Sequence, residues 1–210
     1  MPKLLTLPEA GAHIARANSA AERSPEAFGR AVWLAQSSAR VRSERFWPHV
    51  STFFAQFASG VRHPVLDGRP VRELFSLSAK WRGVSANWNA RADLWAAVMG
   101  AETDAEALAA LIREAEWLST VKGGFVVQLT RGGLGCIDSV NKRLYGLETV
   151  TNSPNLYPAL CESLGGSVAL WAHWCNAVAL ERGADPVAIS RAHADFVASG
   201  ECEPVEFGGA

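Results

Sequence analysis

The sequence predicts an all-α protein, and three observations predict it. Apolar residues recur at three- and four-residue spacing along nearly the whole chain. Helix start signals precede several of these runs, among them Ser24-Pro25-Glu26 and Thr103-Asp104-Ala105-Glu106. Only residues 61–66 read as extended, and no sheet follows from so short a run.

Leu7 to about Glu22 reads as an amphipathic helix. Ser24 caps the next, with proline at its first position and an acid in its first turn, and this helix runs to about Arg40. Phe46, Val50, Phe53 and Phe57 recur at four, three and four residues, so they line one face of a third helix with Pro48 in its first turn. Residues 60–70 form a loop containing His63-Pro64 and Asp67-Gly68. Val71, Leu74, Phe75 and Ser78 give a further helical face, and Gly83 to Asn89 reads as a polar break. Arg91 to Met99 is a short helix with Leu94, Trp95 and Val98 inward. Thr103 and Glu106 form a capping box for a helix that buries Leu108, Leu111 and Ile112. Lys122 to Leu147 reads as helix, glycine-rich turn, helix. Three helices then cover Asn155–Leu164, Ser167–Arg182 and Pro186–Ser199. Residues 1–200 make one helical domain, open to division into two lobes with a cleft between them. Residues 201–210 are an acidic, glycine-containing tail expected to fray.

Composition narrows the class. The chain has 210 residues, 49% of them hydrophobic and 20% charged, as expected of a globular protein with a sizeable core. No apolar run approaches the roughly 18–20 residues of a membrane span. The N-terminus lacks the apolar region of a signal peptide. Cys136, Cys161, Cys175 and Cys202 show no CxxC spacing, so reduced thiols in a cytoplasmic protein are expected, with no metal site. Neither a phosphate-binding loop nor a dinucleotide fingerprint is present, and no cofactor is expected. Charge is unevenly spread: residues 1–91 carry 13 Lys and Arg against 6 Asp and Glu, and the remainder carries 7 against 15. A near-neutral total therefore leaves room for a basic face that tracks a phosphate backbone. Arg40, Arg42, Arg45, Arg62, Arg69, Arg72, Lys80, Arg82 and Arg91 are its candidates, the alternative being a solvated surface.

The run from Lys122 to Leu147 carries the most chemistry. Lys122 opens one helix, near the positive end of its dipole, where a neutral amine is favoured. Gly123 and Gly124 follow, leaving little bulk to shield that amine. Arg131-Gly132-Gly133-Leu134-Gly135 breaks the helix, and Asp138 stands where the N-cap of the next belongs. The hairpin allows Lys122 and Asp138 to face one cleft. The plainer readings are a surface lysine and a simple cap.

This arrangement resembles the helix-hairpin-helix DNA glycosylase superfamily, whose bifunctional members place a lysine at one helix start and an aspartate at the next. Their aspartate lies in a pattern like D-T-H-x-x-R-V. Asp138-Ser139-Val140-Asn141-Lys142-Arg143-Leu144 matches it at the aspartate, the arginine and the final apolar residue, with Val140 in place of histidine. The family's hairpin, of the type L-P-G-V-G-x, is replaced by Trp117-Leu118-Ser119-Thr120-Val121, so both hairpin glycines are missing. The strings K-G-G-F-V-V-Q-L, G-C-I-D-S-V-N and L-W-A-H-W-C-N, from Lys122, Gly135 and Leu170, are similar to a phage branch of that fold. This is the alpha-glutamyl/putrescinyl thymine pyrophosphorylase-like group, which includes amino acid:DNA transferases acting in thymine hypermodification. The resemblance implies a helix-hairpin-helix glycosylase-like fold acting on double-stranded DNA with a modified pyrimidine. It further implies transfer of an amino acid, glycine first among the candidates, to an activated 5-methyl group. In that reading Asp138 deprotonates the incoming amine, and Lys122 holds the leaving phosphate or the amino acid carboxylate. A DNA glycosylase, with lyase activity through Lys122, is the alternative. A non-catalytic DNA-binding module is a third reading.

Other side chains are candidates for supporting roles. A thiolate at Cys136 is able to add to C6 of a pyrimidine and expel a leaving group from the 5-methyl carbon, although free cysteine is more often a packed side chain. Gln128 and Asn141 are candidates for reading an extruded base, and His173 and Asn176 share one face of a later helix. His193 is a second histidine of interest. An enzyme that extrudes a base needs an aromatic wedge. Trp88, flanked by Asn87 and Asn89, is the first choice, ahead of Trp81 and Trp47. Trp171 and Trp174 fall on an apolar stripe and read as core. Arg82 and Arg91, which bracket the polar break, and Arg131, Lys142 and Arg143 in the hairpin are the phosphate-contact candidates.

Overall fold

The computed structural model describes residues 3–38, 43–71, 74, 78–150 and 152–208. Its regular structure is almost all helix, as expected. The chain forms α1 (Leu7–Arg23), α2 (Pro25–Ser37), α3 (Ser43–Phe46), a 3-10 turn (Trp47–His49) and α4 (Val50–Ala58). A two-stranded hairpin, β1 (Val65–Leu66) and β2 (Arg69–Pro70), precedes α5 (Ser78–Asn89), α6 (Arg91–Met99) and α7 (Asp104–Glu114). Then come α8 (Thr120–Arg131), α9 (Ser139–Tyr145), α10 (Tyr157–Ser163), α11 (Gly166–Arg182) and α12 (Pro186–Ser199).

Local chemistry sets most of these boundaries. Thr6 and Glu9 form a reciprocal capping box at α1, and Thr103 and Glu106 form another at α7. Ser24, Ser119, Asp138 and Asp185 cap α2, α8, α9 and α12 through their side-chain oxygens. Each such cap is worth about 1 kcal/mol. Gly132, Gly146, Gly183 and Gly200 end α8, α9, α11 and α12 in the left-handed region that glycine enters without strain.

Helix α8 is the central post. Every residue from Gly123 to Thr130 is buried, because α1, α2 and α7 all pack against it. Helix α1 also packs on α11 and α12, so the first helix is seated on the last. The buried apolar side chains form one continuous cluster from Leu5 to Val205.

The structure departs from expectation in four places. The polar break at Gly83–Asn89 is helical and belongs to α5. Asn87 is 3% exposed and bonds Gln36 and the Glu116 backbone, so its polarity serves a buried contact. The third helix is interrupted by the 3-10 turn at Pro48, yet Phe46, Val50, Phe53 and Phe57 all stay buried. Residues 65–70 form a hairpin, with Asp67 and Gly68 both at positive φ, the two-residue turn that Asp-Gly favours. The tail does not fray over its described part. Cys202 donates its amide to Ser51 Oγ at 3.1 Å, Val205 is buried, and Phe207 bridges Ala184. The expected face through Val71, Leu74, Phe75 and Ser78 includes Phe75, which lies outside the described residues. So do the basic candidates Arg40, Arg42 and Arg72.

Candidate functional site

Lys122 and Asp138 line the same cavity. It lies between α8, α9, α11 and α12 and has a volume of about 370 Å³. That falls within the ~300–1,000 Å³ typical of small-molecule sites. Lys122 enters from the first turn of α8, where Ser119 accepts its backbone amide, and Asp138 enters as the cap of α9. The local signals that start these two helices are therefore what aim both charges into one space. Lys122 Nζ lies 5.7 Å from the ring centre of Phe125, one turn further along α8.

The walls are aromatic. Trp171 and Trp174 on α11 stack at 5.3 Å with an 11° angle between their planes, and Phe125 stacks on Trp171 at 5.8 Å. Trp174 Nε1 donates to Asp138 Oδ2 at 3.0 Å. Asp138 Oδ1 accepts the amides of Val140 and Asn141 at 2.9 and 3.2 Å. The carboxylate is thus fixed by three donors, two on Oδ1 and one on Oδ2, and a second lone pair remains on Oδ2. Trp47, from the 3-10 turn, also lines the cavity and packs at 3.7 Å on His193 of α12. At the mouth, Arg182 forms two bonds of 3.0 Å to Glu44, and Arg143 pairs with Glu181 at 2.8 Å.

His193 belongs to this site, although its sequence neighbourhood gave little reason to rank it highly. It is 2% exposed and borders the cavity beside Lys122 and Asp138. Burial pushes its pKa down to about 3, the Ile189 carbonyl at Nδ1 acts in the opposite sense, and the Lys122 charge lowers it further.

Cys136 also borders the cavity, but as a buried thiol. Burial pushes it up to about 12, and the neighbouring Asp138 charge acts in the same direction. The thiolate expected as a nucleophile is therefore not the resting form. Gly123 and Gly124 serve packing rather than access to the amine. A Cβ on Gly124 would sit 2.4 Å from the Tyr157 ring, and one on Gly123 would sit 2.7 Å from Leu108 Cδ1.

Several other candidates lie elsewhere. Gln128 is wholly buried and donates to the Ser167 carbonyl at 2.8 Å, away from the cavity. Asn141 is also buried. Its amide bonds the Cys136 and Leu170 carbonyls and ties the glycine turn to α11, so it does not face a ligand. His173 and Asn176 occupy the other side of α11, on a separate apolar pocket of about 410 Å³. There the Tyr145 hydroxyl lies 2.5 Å from His173 Nδ1, and Asn176 binds the Leu5 backbone.

Trp88 is not a loop wedge. It sits in α5 against Phe54 and Phe57, with the Arg91 guanidinium 4.7 Å from its ring centre. Arg91 also pairs with Glu26. Arg131 braces α8 through Asp104 and the Val98 carbonyl, and Lys142 bonds the Val150 carbonyl. Lys80 is buried and bonds the Ser37 carbonyl. Arg45, Arg62, Arg69, Arg82 and Arg143 remain exposed.

Tyr157 is a structural residue of the site that its sequence context did not single out. Its hydroxyl donates to the Gly135 carbonyl at 2.7 Å and accepts the Ile137 amide at 2.9 Å. It thereby fixes the turn that delivers Asp138. Among the described residues no three His, Cys, Asp or Glu side chains group as a metal site, and no helix is long and apolar enough to cross a membrane. No family model, curated protein or solved structure matches the chain.

Proposed function

We propose that the cavity holding Lys122 and Asp138 is a nucleobase site in a DNA-modifying enzyme with a helix-hairpin-helix glycosylase-like fold. The observation that carries this reading is the convergence of the two charges at the starts of α8 and α9 on one aromatic-walled space. Flat indole walls suit a planar ring, and a base must leave the duplex to reach such a depth. The exposed arginines provide phosphate contacts for double-stranded DNA.

The reaction we favour moves an amino acid, glycine first, onto the activated 5-methylene carbon of a modified uracil. The amine nitrogen attacks that carbon, the carbon–oxygen bond to phosphate breaks, and its electron pair leaves with the phosphate. The proton released from nitrogen passes to the Asp138 carboxylate. Lys122 pairs with the departing phosphate. Cys136 takes no part in bond making, because its thiol stays protonated.

Incubation with duplex DNA containing 5-phosphomethyl-deoxyuridine and glycine, followed by digestion and mass spectrometry, tests this. A nucleoside heavier by the added glycine is the expected product. Unchanged DNA counts against the transferase and leaves a DNA-binding module.

One observation favours a second reading, a DNA glycosylase with lyase activity. Lys122 and Asp138 line one cavity, and a lysine beside an aspartate is the pair such an enzyme uses. Free base in the same digest, and a borohydride-trapped adduct on Lys122, would establish it.

A further inference from the structure

His193 is aimed and then left unanswered. Its Nδ1 lies 2.7 Å from the Ile189 carbonyl, one turn earlier in α12. A carbonyl only accepts, so Nδ1 carries the hydrogen and the neutral ring keeps its lone pair on Nε2. No described residue donates to that nitrogen, and the ring borders the cavity. The imidazole is held against rotation by Trp47 at 3.7 Å, and by Trp171 and Phe125 at 4.6 and 5.9 Å, both near edge-on. Burial keeps it uncharged down to a pKa of about 3, so the acceptor persists at ordinary pH. The lone pair on Nε2 is therefore open to a donor in the cavity, and a ligand that supplies one gains a bond that the described residues do not make.

We propose that His193 selects the base, its Nε2 accepting the N3–H of a uracil- or thymine-type ring and so rejecting cytosine-type rings. Cytosine presents a lone pair at N3, which would face the imidazole lone pair. A site built to receive a hydrogen-bond donor rejects analogues that lack one. This assignment rests on the nucleobase reading above and adds to it the residue that discriminates.

The test uses the intact protein and free bases: 5-hydroxymethyluracil, its N3-methyl derivative and 5-hydroxymethylcytosine. Quenching of tryptophan fluorescence reports binding, because three tryptophans border the cavity. The unmodified uracil should bind about tenfold more tightly than the other two, the worth of one good hydrogen bond. His193→Gln should lose the preference, since its amide rotates to present either donor or acceptor. Should that variant fail to fold by circular dichroism, His193→Phe retains an aromatic ring and should also bind without preference. Equal binding of the three bases by the wild type, binding of none, or a preference that survives both substitutions overturns the assignment. If the transferase assay succeeds and His193→Gln still prefers uracil, only the role of His193 falls. If the free uracil binds through His193 but the DNA never reacts, only the transferase reading falls.

Discussion

Trp174 and Asp138 are joined at 3.0 Å, indole nitrogen to carboxylate oxygen, while the other oxygen of the same carboxylate closes the start of α9. One side chain thus has a structural duty and a cavity-facing one, and substitution can separate them. Asparagine caps helices about as well as aspartate. Asp138→Asn should therefore keep α9 and lose about 1–3 kcal/mol, because the amide nitrogen that replaces Oδ2 is a donor and cannot accept the Trp174 N–H. Its turnover should drop by roughly 10²–10⁴-fold, as for loss of a general base. Asp138→Ala should lose about 1 kcal/mol more, for the missing cap. Thermal melts beside the mass-spectrometric assay measure both effects, and full turnover in the asparagine variant would remove Asp138 from the chemistry.

Adjacent glycines in α8 should differ sharply. A methyl on Gly124 meets the Tyr157 ring at 2.4 Å and the Gly135 carbonyl at 2.8 Å. That ring is held at its hydroxyl by two backbone bonds and has little freedom to retreat. Gly124→Ala should destabilise by about 1–3 kcal/mol, the usual range for overpacking. Gly123→Ala meets only the end of Leu108, which is free to change rotamer, and should be milder. Urea denaturation of the two variants checks the order.

Acid should weaken the protein through His193. Its folded pKa of about 3 lies below the ordinary 6.5, so the unfolded chain takes up the proton first as pH falls. The contribution is complete above about 6.5 and is lost as pH drops towards 3, at up to roughly 1.4 kcal/mol per pH unit. His193→Gln should flatten the stability profile between pH 7 and 4. A residual slope is expected from His13, which burial also depresses. An unchanged profile would mean that His193 is charged, or solvated, in the fold.

The Cys136 thiol should resist alkylation. With its pKa pushed up to about 12 and its side chain buried, iodoacetamide at pH 8 should modify it far more slowly in the native protein than after denaturation. Cys136→Ala should retain turnover. Rapid native labelling at Cys136, with loss of activity in the alanine variant, would restore the thiolate addition route.

What was legible in the sequence was local. Ser24-Pro25, Thr103 with Glu106, and Asp138 each act within a few residues of themselves, and each starts a helix where expected. The pairing of Lys122 with Asp138 was legible for the same reason, because one short hairpin carries both. Errors arose where a polar residue answers a distant partner. Asn87 looked like loop chemistry, but it clasps the backbone of Glu116 from inside a helix. Gln128 looked like a base reader, but its partner is the start of α11. His193 reaches the cavity only because α12 packs beside α11, a contact that no local pattern encodes.

The seating of α1 on α12 has a kinetic consequence. Leu5 is tied to Asn176, and Phe207 returns to Ala184, so both ends of the described chain meet near the α11–α12 connection. Contacts between the most distant parts of a sequence raise contact order and slow folding. A chain emerging from the ribosome is able to form α7 and α8 before α12, and it lacks His193 until α12 has been made. The cavity is therefore among the last features to assemble, and loosening α1 would disorder it while leaving most helices intact.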